Sequence, residues 1–172
     1  MQILLGCGGD RLKRLHAPGK RDWVDLVTLD IEPAHKPDVV HDLNDLPYPF
    51  ASDSADEIHA YEVLEHVGRQ GDAAFFFAQW DEFYRILKPG GMVYMSVPKR
   101  ESVWAWGDPG HTRIITKEQL GFLHRPAYVH VGSTPMSDYR RLFVSDWDVA
   151  EINAGVPDLA FFALQAVKPA RG

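Results

Sequence analysis

The sequence predicts an α/β fold, with a mostly parallel sheet, helices on both faces and an antiparallel strand pair near the C-terminus. Three observations predict it: short apolar runs separated by turn signals, one strongly amphipathic segment between two of these runs, and a short connection between the last two. The runs do not alternate strictly between apolar and polar residues, which is typical of parallel strands buried on both faces. No linker or repeat divides the 172 residues, so we expect a single domain over residues 1–172.

Seven strands are predicted along the chain. The first five cover residues 3–5, 26–31, 39–43, 58–61 and 92–97. The last two cover residues 143–152 and 159–167, with Asn153-Ala154-Gly155 between them. Because so short a connection joins strands that run in opposite directions, these two are expected to pair at one edge of the sheet.

Two helices are predicted, the first over residues 72–88. Its apolar residues fall three or four positions apart and so share one face: Phe76, Trp80, Phe83 and Leu87. Pro89-Gly90-Gly91 ends this helix. The second helix begins at Thr116, whose hydroxyl can cap free amides while Gln119 reaches back, and it ends near Leu123.

Composition and charge narrow the class of protein. Hydrophobic residues make up 45% and charged residues 24%, as in soluble globular proteins. The net charge of −6 disfavours binding to phosphate backbones, so nucleic acid is not an expected partner, and the basic run from Arg11 to Arg21 is interpreted as a solvated face. The single cysteine, Cys7, cannot form an internal disulfide, and no apolar run is long enough for a signal peptide or a membrane span. We therefore expect a cytoplasmic protein without a membrane partner.

A glycine turn follows the first predicted strand. Glycines in Gly6-Cys7-Gly8-Gly9 would let the backbone approach a ligand closely. Asp30 closes the next strand 22 residues after Gly8, near the spacing at which an acidic residue meets a ribose hydroxyl. Together they favour a nucleoside ligand, although a simple tight turn and a solvated strand-end carboxylate remain the alternatives.

Asp42 ends the third predicted strand, where its carboxylate could accept a hydrogen bond from an exocyclic amine such as that of adenine. The alternative is an Asx turn, because Asn44 and Asp45 follow directly.

Five segments together resemble the class I S-adenosylmethionine-dependent methyltransferases, and in particular the small type 11 group. They are Leu5-Gly6-Cys7-Gly8-Gly9-Asp10, Leu29-Asp30-Ile31, Asp42-Leu43-Asn44-Asp45-Leu46-Pro47, Val63-Leu64-Glu65-His66 and Leu87-Lys88-Pro89-Gly90-Gly91. The resemblance covers about residues 3 to 98 and implies a Rossmann-like fold with S-adenosyl-L-methionine as cofactor. It divides the domain into a cofactor half, about residues 1–98, and an acceptor-side segment, about residues 98–145.

The resemblance also implies a role for individual residues. The glycine turn would flank the methionine part of the cofactor, Asp30 would hold the ribose, and Asp42 with Leu43 would frame the adenine. Tyr61 and Glu62 would line the methionine side. The full set of implied cofactor-binding residues is Gly6, Cys7, Gly8, Asp30, Ile31, Asp42, Leu43, Tyr61 and Glu62.

The chain departs from the family pattern at two positions. Leu4 stands where an acidic residue usually precedes the glycines, and Asp10 replaces the usual third glycine. We also expect none of the helices that, in this family, normally precede the first strand and cover the substrate. Residues 98 to 145, or a second subunit, would then supply most of the acceptor pocket, so self-association stays open.

No metal is expected. Glu62-Val63-Leu64-Glu65-His66 is one residue away from the H-x-x-E-H zinc pattern, and the eight histidines lack the paired spacing of a catalytic metal site. His66 is instead expected to orient a neighbouring group near the cofactor.

The acceptor is expected to be a small molecule that reacts at an oxygen or nitrogen atom. Candidate contacts are Trp104, Trp106 and Tyr139, with packing of a long loop and a surface ion-pair cluster as the respective alternatives. His111 is the candidate general base, because it follows the fifth strand near the carboxyl edge of the sheet, where such folds bind ligands. The structural alternative is that His111 braces its loop against Thr112 or Arg113.

Two other functions are compatible with parts of the sequence. A nicotinamide-dependent oxidoreductase shares the glycine turn and the ribose acid, but Arg11 occupies the position of its third fingerprint glycine. A non-catalytic module that only binds S-adenosylmethionine is favoured by the altered positions Leu4 and Asp10.

Overall fold

The computed structural model describes residues 1–172, and a seven-stranded sheet forms its centre. The strands are β1 (Gln2–Leu5), β2 (Leu26–Asp30), β3 (Val39–Val40), β4 (Ala55–Tyr61), β5 (Leu87–Pro98), β6 (Trp147–Ile152) and β7 (Leu159–Ala166). Their order across the sheet is β3-β2-β1-β4-β5-β7-β6. The first five strands pair in parallel, whereas β7 runs antiparallel to both β5 and β6. The predicted fold class is therefore confirmed.

The helices begin and end close to the predicted residues. Helix α1 (Ala73–Ile86) is capped by Asp72, whose carboxylate accepts from the amide of Phe75. Helix α2 (Trp104–Gly107) follows β5, and α3 (Lys117–Gly121) begins with the predicted capping box of Thr116 and Gln119. Three 3-10 turns complete the elements: Pro33–His35, Leu64–His66 and Arg125–His130. None of the helices combines the length and the apolar character that a membrane span needs.

The two faces of the sheet are covered in different ways. Helix α1 packs on the first face through Phe77, Trp80 and Phe83, and the Trp80 ring meets Trp147 edge-on at 5.4 Å. The second face carries a smaller apolar cluster that includes Leu4. Residues 10–24, which contain no helix or strand, lie over it, whereas the predicted fold class has helices on both faces. This stretch carries too few apolar residues at helical spacing, and Pro18-Gly19 interrupts it.

A buried charge cluster lies beneath this irregular cover. Lys13 is only 7% exposed, and its ammonium lies 2.8 Å from Oε2 of Glu57 on β4. The same oxygen accepts hydrogen bonds from Nε2 of His59 at 3.0 Å and from Nε2 of Gln2 at 2.7 Å. The interpretation of the basic run as a solvated face is wrong at Lys13, because a carboxylate buried in the sheet requires a countercharge.

Burial and charge act in opposite directions on the pKa values of this cluster. Burial lowers the pKa of His59 to about 4, more than its neighbour Glu57 raises it. Burial alone would raise the pKa of Glu57, but the Lys13 ammonium and the hydrogen bond with His59 hold that pKa below its ordinary value. At neutral pH Glu57 is therefore charged and His59 is neutral.

Candidate functional site

The glycine turn after β1 has a backbone conformation that favours glycine. Gly6 has φ +57° and Gly8 has φ +50°, both in the left-handed region. A Cβ on Gly6 would lie 2.3 Å from Cγ2 of Val63, so no larger residue fits there. A Cβ on Gly8 would meet nothing within 4 Å, which leaves the backbone of the turn open to a ligand.

Asp30, at the end of β2, fixes the shape of this turn. Its Oδ2 accepts from the amide of Gly8 at 2.8 Å, and its Oδ1 accepts from the amide of Glu32 at 2.9 Å. Burial alone would raise the pKa of Asp30, but these two amides and His35 hold that pKa below its ordinary value. With 6% of Asp30 exposed, the alternative of a solvated carboxylate is wrong. The next residue, Ile31, is 62% exposed beside it.

Asp42 forms the Asx turn that was its alternative interpretation. Its Oδ1 accepts from both the backbone amide and the side-chain amide of Asn44, at 2.8 and 2.9 Å. This turn ends β3 at Val40, three residues before the predicted end. Its other oxygen, Oδ2, makes no hydrogen bond in the structure and is open to a donor from a ligand. Leu43 is buried, and the adenine contacts of both residues stay predictions.

A buried hydrogen-bond chain supports Leu43 from behind. The carbonyl of Leu43 accepts from the hydroxyl of Tyr48, which in turn accepts from Nε2 of Gln79, both at 2.9 Å. Oε1 of Gln79 accepts from the guanidinium of Arg113 at 2.6 Å, and Nε of Arg113 donates to the carbonyl of Leu64 at 2.9 Å. Burial lowers the pKa of Arg113 to about 10. This chain connects the adenine side of the predicted cofactor site to the segment that follows His111.

Tyr61 and Glu62 follow each other at the end of β4 but point to different surroundings. The Tyr61 hydroxyl accepts from the amide of Leu15 at 3.0 Å, which places the ring under the irregular cover. Glu62 is exposed, has φ +55°, and accepts from the guanidinium of Arg14 at 3.2 Å. Arg14 also lies 3.4 Å from the carboxylate of Asp10. Sequence reasoning assigned Arg14 to a solvated face and missed this charged group beside the glycine turn.

A cavity of about 370 Å³ begins at Glu62 and lies beyond the carboxyl ends of β4 and β5. We call it the His111 cavity; its lining residues are Glu62, Glu65, His66, Pro98, Trp104, Asp108, His111, Asp158 and Leu159. His111 thus lies at the carboxyl edge of the sheet, as predicted. Its ring stands edge-on to that of His66, with the centroids 4.5 Å apart.

Backbone carbonyls orient both imidazole rings of this cavity. Nδ1 of His111 lies 3.3 Å from the carbonyl oxygen of Ala105, and Nδ1 of His66 lies 3.1 Å from that of Gly110. Because a carbonyl oxygen only accepts, each Nδ1 must donate, which leaves the lone pair of each neutral ring on Nε2. His66 therefore contacts a backbone group, as expected, whereas His111 braces against Ala105 rather than Thr112 or Arg113.

Glu65 is a wall residue of this cavity that sequence reasoning considered only as part of a failed zinc motif. It is 2% exposed, and its Oε2 is buried without a hydrogen-bond partner. Burial raises the pKa of Glu65 to about 7, against the smaller opposing effect of its own backbone amide. The sequence does not show that Glu65 lies beside His111, because the fold brings the 3-10 turn Leu64–His66 to that residue.

The predicted acceptor contacts separate in the structure. Trp104 is 60% exposed and lines the His111 cavity, whereas Trp106, 62% exposed, does not line it. Neither ring packs against the core, so the loop-packing alternative is wrong. Tyr139 lines a different cavity of about 210 Å³ beside the start of α1, with its ring 5.2 Å from that of Phe77. Near it, Arg140 and Asp138 form the exposed ion pair that was the alternative interpretation.

The sequence matches the model of a protein family described as a methyltransferase domain. The match spans residues 4–95, more than half of the chain, and includes the glycine turn, Asp30, Asp42 and Glu62. The chain belongs to this methyltransferase family. S-adenosylmethionine is the cofactor of the methyltransferase.

Solved structures share the fold of the methyltransferase. A SAM-dependent methyltransferase from Archaeoglobus fulgidus aligns over 97% of this chain and 86% of its own, with a TM-score of 0.57 and 16% identity. One from Mesorhizobium loti aligns over 95% and 89%, with a TM-score of 0.54 and 16% identity. The N-methyltransferase NodS from Bradyrhizobium japonicum WM9, solved with S-adenosyl-L-homocysteine, aligns over 96% and 76%, with a TM-score of 0.53 and 14% identity. No curated protein matches the sequence.

The groups around the glycine turn fit the chemistry of S-adenosylmethionine. The open backbone at Gly8 admits a closely bound ligand, and the exposed side chain of Ile31 offers an apolar contact. Arg14 and Glu62 present opposite charges, which complement the carboxylate and ammonium groups of a free amino acid. The unpaired Oδ2 of Asp42 can accept from an amine.

Proposed function

We propose that the methyltransferase transfers a methyl group from S-adenosylmethionine to an oxygen or nitrogen atom of a small molecule bound in the His111 cavity. The observation that carries this proposal is the cavity itself, which begins at Glu62 beside the cofactor residues and contains His111. Its volume of about 370 Å³ suits a small acceptor.

In this proposal the turn Gly6-Cys7-Gly8 holds the methionine part of the cofactor through its backbone. Arg14 pairs with the methionine carboxylate and Glu62 with the ammonium, so Glu62 supplies the negative charge that Leu4 lacks. Tyr61 contributes indirectly, because its hydroxyl accepts from the amide of Leu15 in the segment that carries Arg14.

The nucleoside part lies across the ends of β2 and β3. Asp30 and Ile31 meet the ribose, and Oδ2 of Asp30 keeps a second lone pair besides the one that the amide of Gly8 uses. Asp42 accepts from the adenine amine through Oδ2, and Leu43 closes the adenine site. The open Oδ2 of Asp42 and the exposure of Ile31 support this arrangement.

Within the single domain, different parts of the chain bind the cofactor and complete the acceptor cavity. Residues 1–98 hold the cofactor and contribute Glu62, Glu65 and His66 to the cavity, while residues 98–145 contribute Trp104 and His111. Trp104 shields the acceptor from water. Trp106 and Tyr139 do not line this cavity, so we leave them out of acceptor binding.

The protein has to align the acceptor and remove its proton. S-adenosylmethionine, when bound, supplies a methyl group on a sulfonium, and the electrons of the broken carbon–sulfur bond stay on sulfur. As the acceptor atom bonds to the methyl carbon, its proton must leave, and Nε2 of His111 has a free lone pair to take it. Fixing the acceptor in a near-attack position contributes the rest of the rate.

Calorimetry and a turnover assay test this proposal. S-adenosylmethionine and S-adenosylhomocysteine should bind at one site, and NAD should not. Formation of S-adenosylhomocysteine should be followed with panels of small hydroxyl and amine compounds. His111→Ala should leave cofactor affinity unchanged and lower the rate about a hundredfold or more. Cofactor binding with no methylated product from any acceptor would favour the non-catalytic module, and tighter binding of NAD would overturn the proposal.

A further inference from the structure

We infer that Glu65, His66 and His111 form a binding site for a divalent transition-metal cation at the wall of the His111 cavity. One ligand atom from each of the three side chains lies within 4.8 Å of the other two. Two imidazoles and a carboxylate are a donor set that Zn²⁺ and neighbouring first-row cations prefer. The sequence spacing predicted no metal, because His111 joins the other two only through the fold.

The orientation of the two histidines is that of metal ligands. Each Nδ1 donates to a backbone carbonyl, of Gly110 for His66 and of Ala105 for His111. Metal-bound histidines characteristically donate their second ring nitrogen to a carbonyl or carboxylate, which fixes the ring and aims the remaining lone pair at the cation. In both residues Nε2 is the atom left to coordinate.

The third ligand, Glu65, is an independent observation that points to a missing partner. Its carboxylate is almost fully buried, and Oε2 accepts no hydrogen bond from the protein. A buried polar atom without a partner is costly, and a bound cation would satisfy it. The guanidinium of Arg113 is committed to Leu64 and Gln79 and does not serve this oxygen.

The surrounding backbone holds the three residues together before any ion binds. The carbonyl of Glu65 accepts from the amide and hydroxyl of Thr112, at 2.9 and 3.2 Å, so the segment after His111 is attached to the turn that carries Glu65 and His66. Tetrahedral Zn²⁺ with bonds of about 2.1 Å needs ligand atoms about 3.4 Å apart. The ligand atoms lie within 4.8 Å of one another, so they must close by at most about 1.4 Å, which the exposed ring of His66 can provide.

Three protein ligands would leave a tetrahedral ion with one open position, and all three of these residues line the cavity proposed for the acceptor. An acceptor oxygen bound there would lose its proton more readily, because a cation stabilises the oxyanion. Only this consequence rests on the proposed function; the metal site itself does not. With a metal bound, His111 would act as a ligand, and the acceptor proton would pass to water instead of to Nε2 of His111.

Metal titration of the whole protein tests the inference. Protein without a polyhistidine tag is freed of metal with a chelator and titrated with Zn²⁺ by calorimetry, and with Co²⁺ by visible absorption. We expect one equivalent to bind. His66→Ala/His111→Ala should weaken Zn²⁺ binding about a hundredfold or more, and Glu65→Gln should also weaken it. The control His16→Ala/His130→Ala removes two exposed histidines elsewhere and should bind like the parent.

Each outcome decides one point. Equal Zn²⁺ affinity in the parent and in His66→Ala/His111→Ala, with circular dichroism confirming that both are folded, would overturn the metal site. S-adenosylhomocysteine is titrated into the same metal-free protein. If it binds while Zn²⁺ does not, the metal site fails and the proposed function survives; if Zn²⁺ binds and S-adenosylhomocysteine does not, only the proposed function fails.

Discussion

Replacing Lys13 by Met tests whether the irregular cover over the second face is held by charge. Oε2 of Glu57 lies 2.8 Å from the Lys13 ammonium and accepts from two neutral donors, His59 and Gln2. Lys13→Met removes the only cation of this cluster and leaves a buried carboxylate. Breaking one side of a buried ion pair costs about 3–5 kcal/mol, and the two remaining donors place the expected loss at about 3 kcal/mol.

Urea unfolding at pH 7, followed by tryptophan fluorescence, measures this loss. With an m-value of about 2 kcal/mol per molar urea, the midpoint should fall by about 1.5 M. The matched control is Lys20→Met, in which an exposed lysine of the same segment is replaced; it should change the free energy of unfolding by less than about 0.5 kcal/mol.

The pH dependence of the same difference is a second check. Because Lys13 helps to lower the pKa of Glu57, its contribution is fully present above the ordinary value of 4.5 and is lost as the pH falls through the lowered pKa. The difference between Lys13→Met and the parent should therefore shrink below about pH 4.5. Equal midpoints for the two proteins at pH 7 would refute the buried ion pair.

Three further predictions concern the glycine turn, the ribose acid and the buried histidine. Gly6→Ala should abolish binding of S-adenosylhomocysteine, because its Cβ would collide with the side chain of Val63. The control Gly19→Ala, with φ +78° and open space around it, should lower the free energy of unfolding by only about 1 kcal/mol. Equal effects of the two variants in calorimetry and in unfolding would contradict the tight packing at Gly6. Asp30→Ala should weaken S-adenosylhomocysteine binding by about 1–3 kcal/mol, and unchanged affinity in a folded variant would move the ribose site elsewhere. Burial lowers the pKa of His59 to about 4. Between pH 6.5 and pH 4 only the unfolded chain takes up this proton, so the free energy of unfolding should fall by about 1 kcal/mol for each unit by which the pH is lowered. His59→Gln should lose that slope.

The strands and α1 were predictable because their signals are local. Apolar runs and helical spacing depend on neighbouring residues, and the capping box at Thr116 is written in four consecutive positions. Strand β6 was expected from residue 143 but begins at Trp147. Phe143 and Asp146 are buried by tertiary contacts and not by strand pairing. Phe143 stacks on Phe77 at 4.6 Å, and Asp146 pairs with Arg171.

The candidate site was predictable in part for the same reason. The glycine turn and Asp30 are recognisable because each ends a strand, and their spacing along the chain carries the signal. Arg14 and Glu65 carried no such signal, because their partners lie far away in the sequence. His111 was found from its place after β5, but its contact with His66 depends on how the loop folds back.

The buried hydrogen-bond chain that connects Leu43 to Arg113 limits how this enzyme can be re-engineered. Laboratory exchange of residues 104–112 for the corresponding loop of a related protein is an obvious route to a new acceptor. Arg113 directly follows that loop, and through Gln79 and Tyr48 it supports the carbonyl of Leu43. A transplanted loop that displaces Arg113 would therefore disturb the adenine side as well, and chimeras should be joined before this arginine.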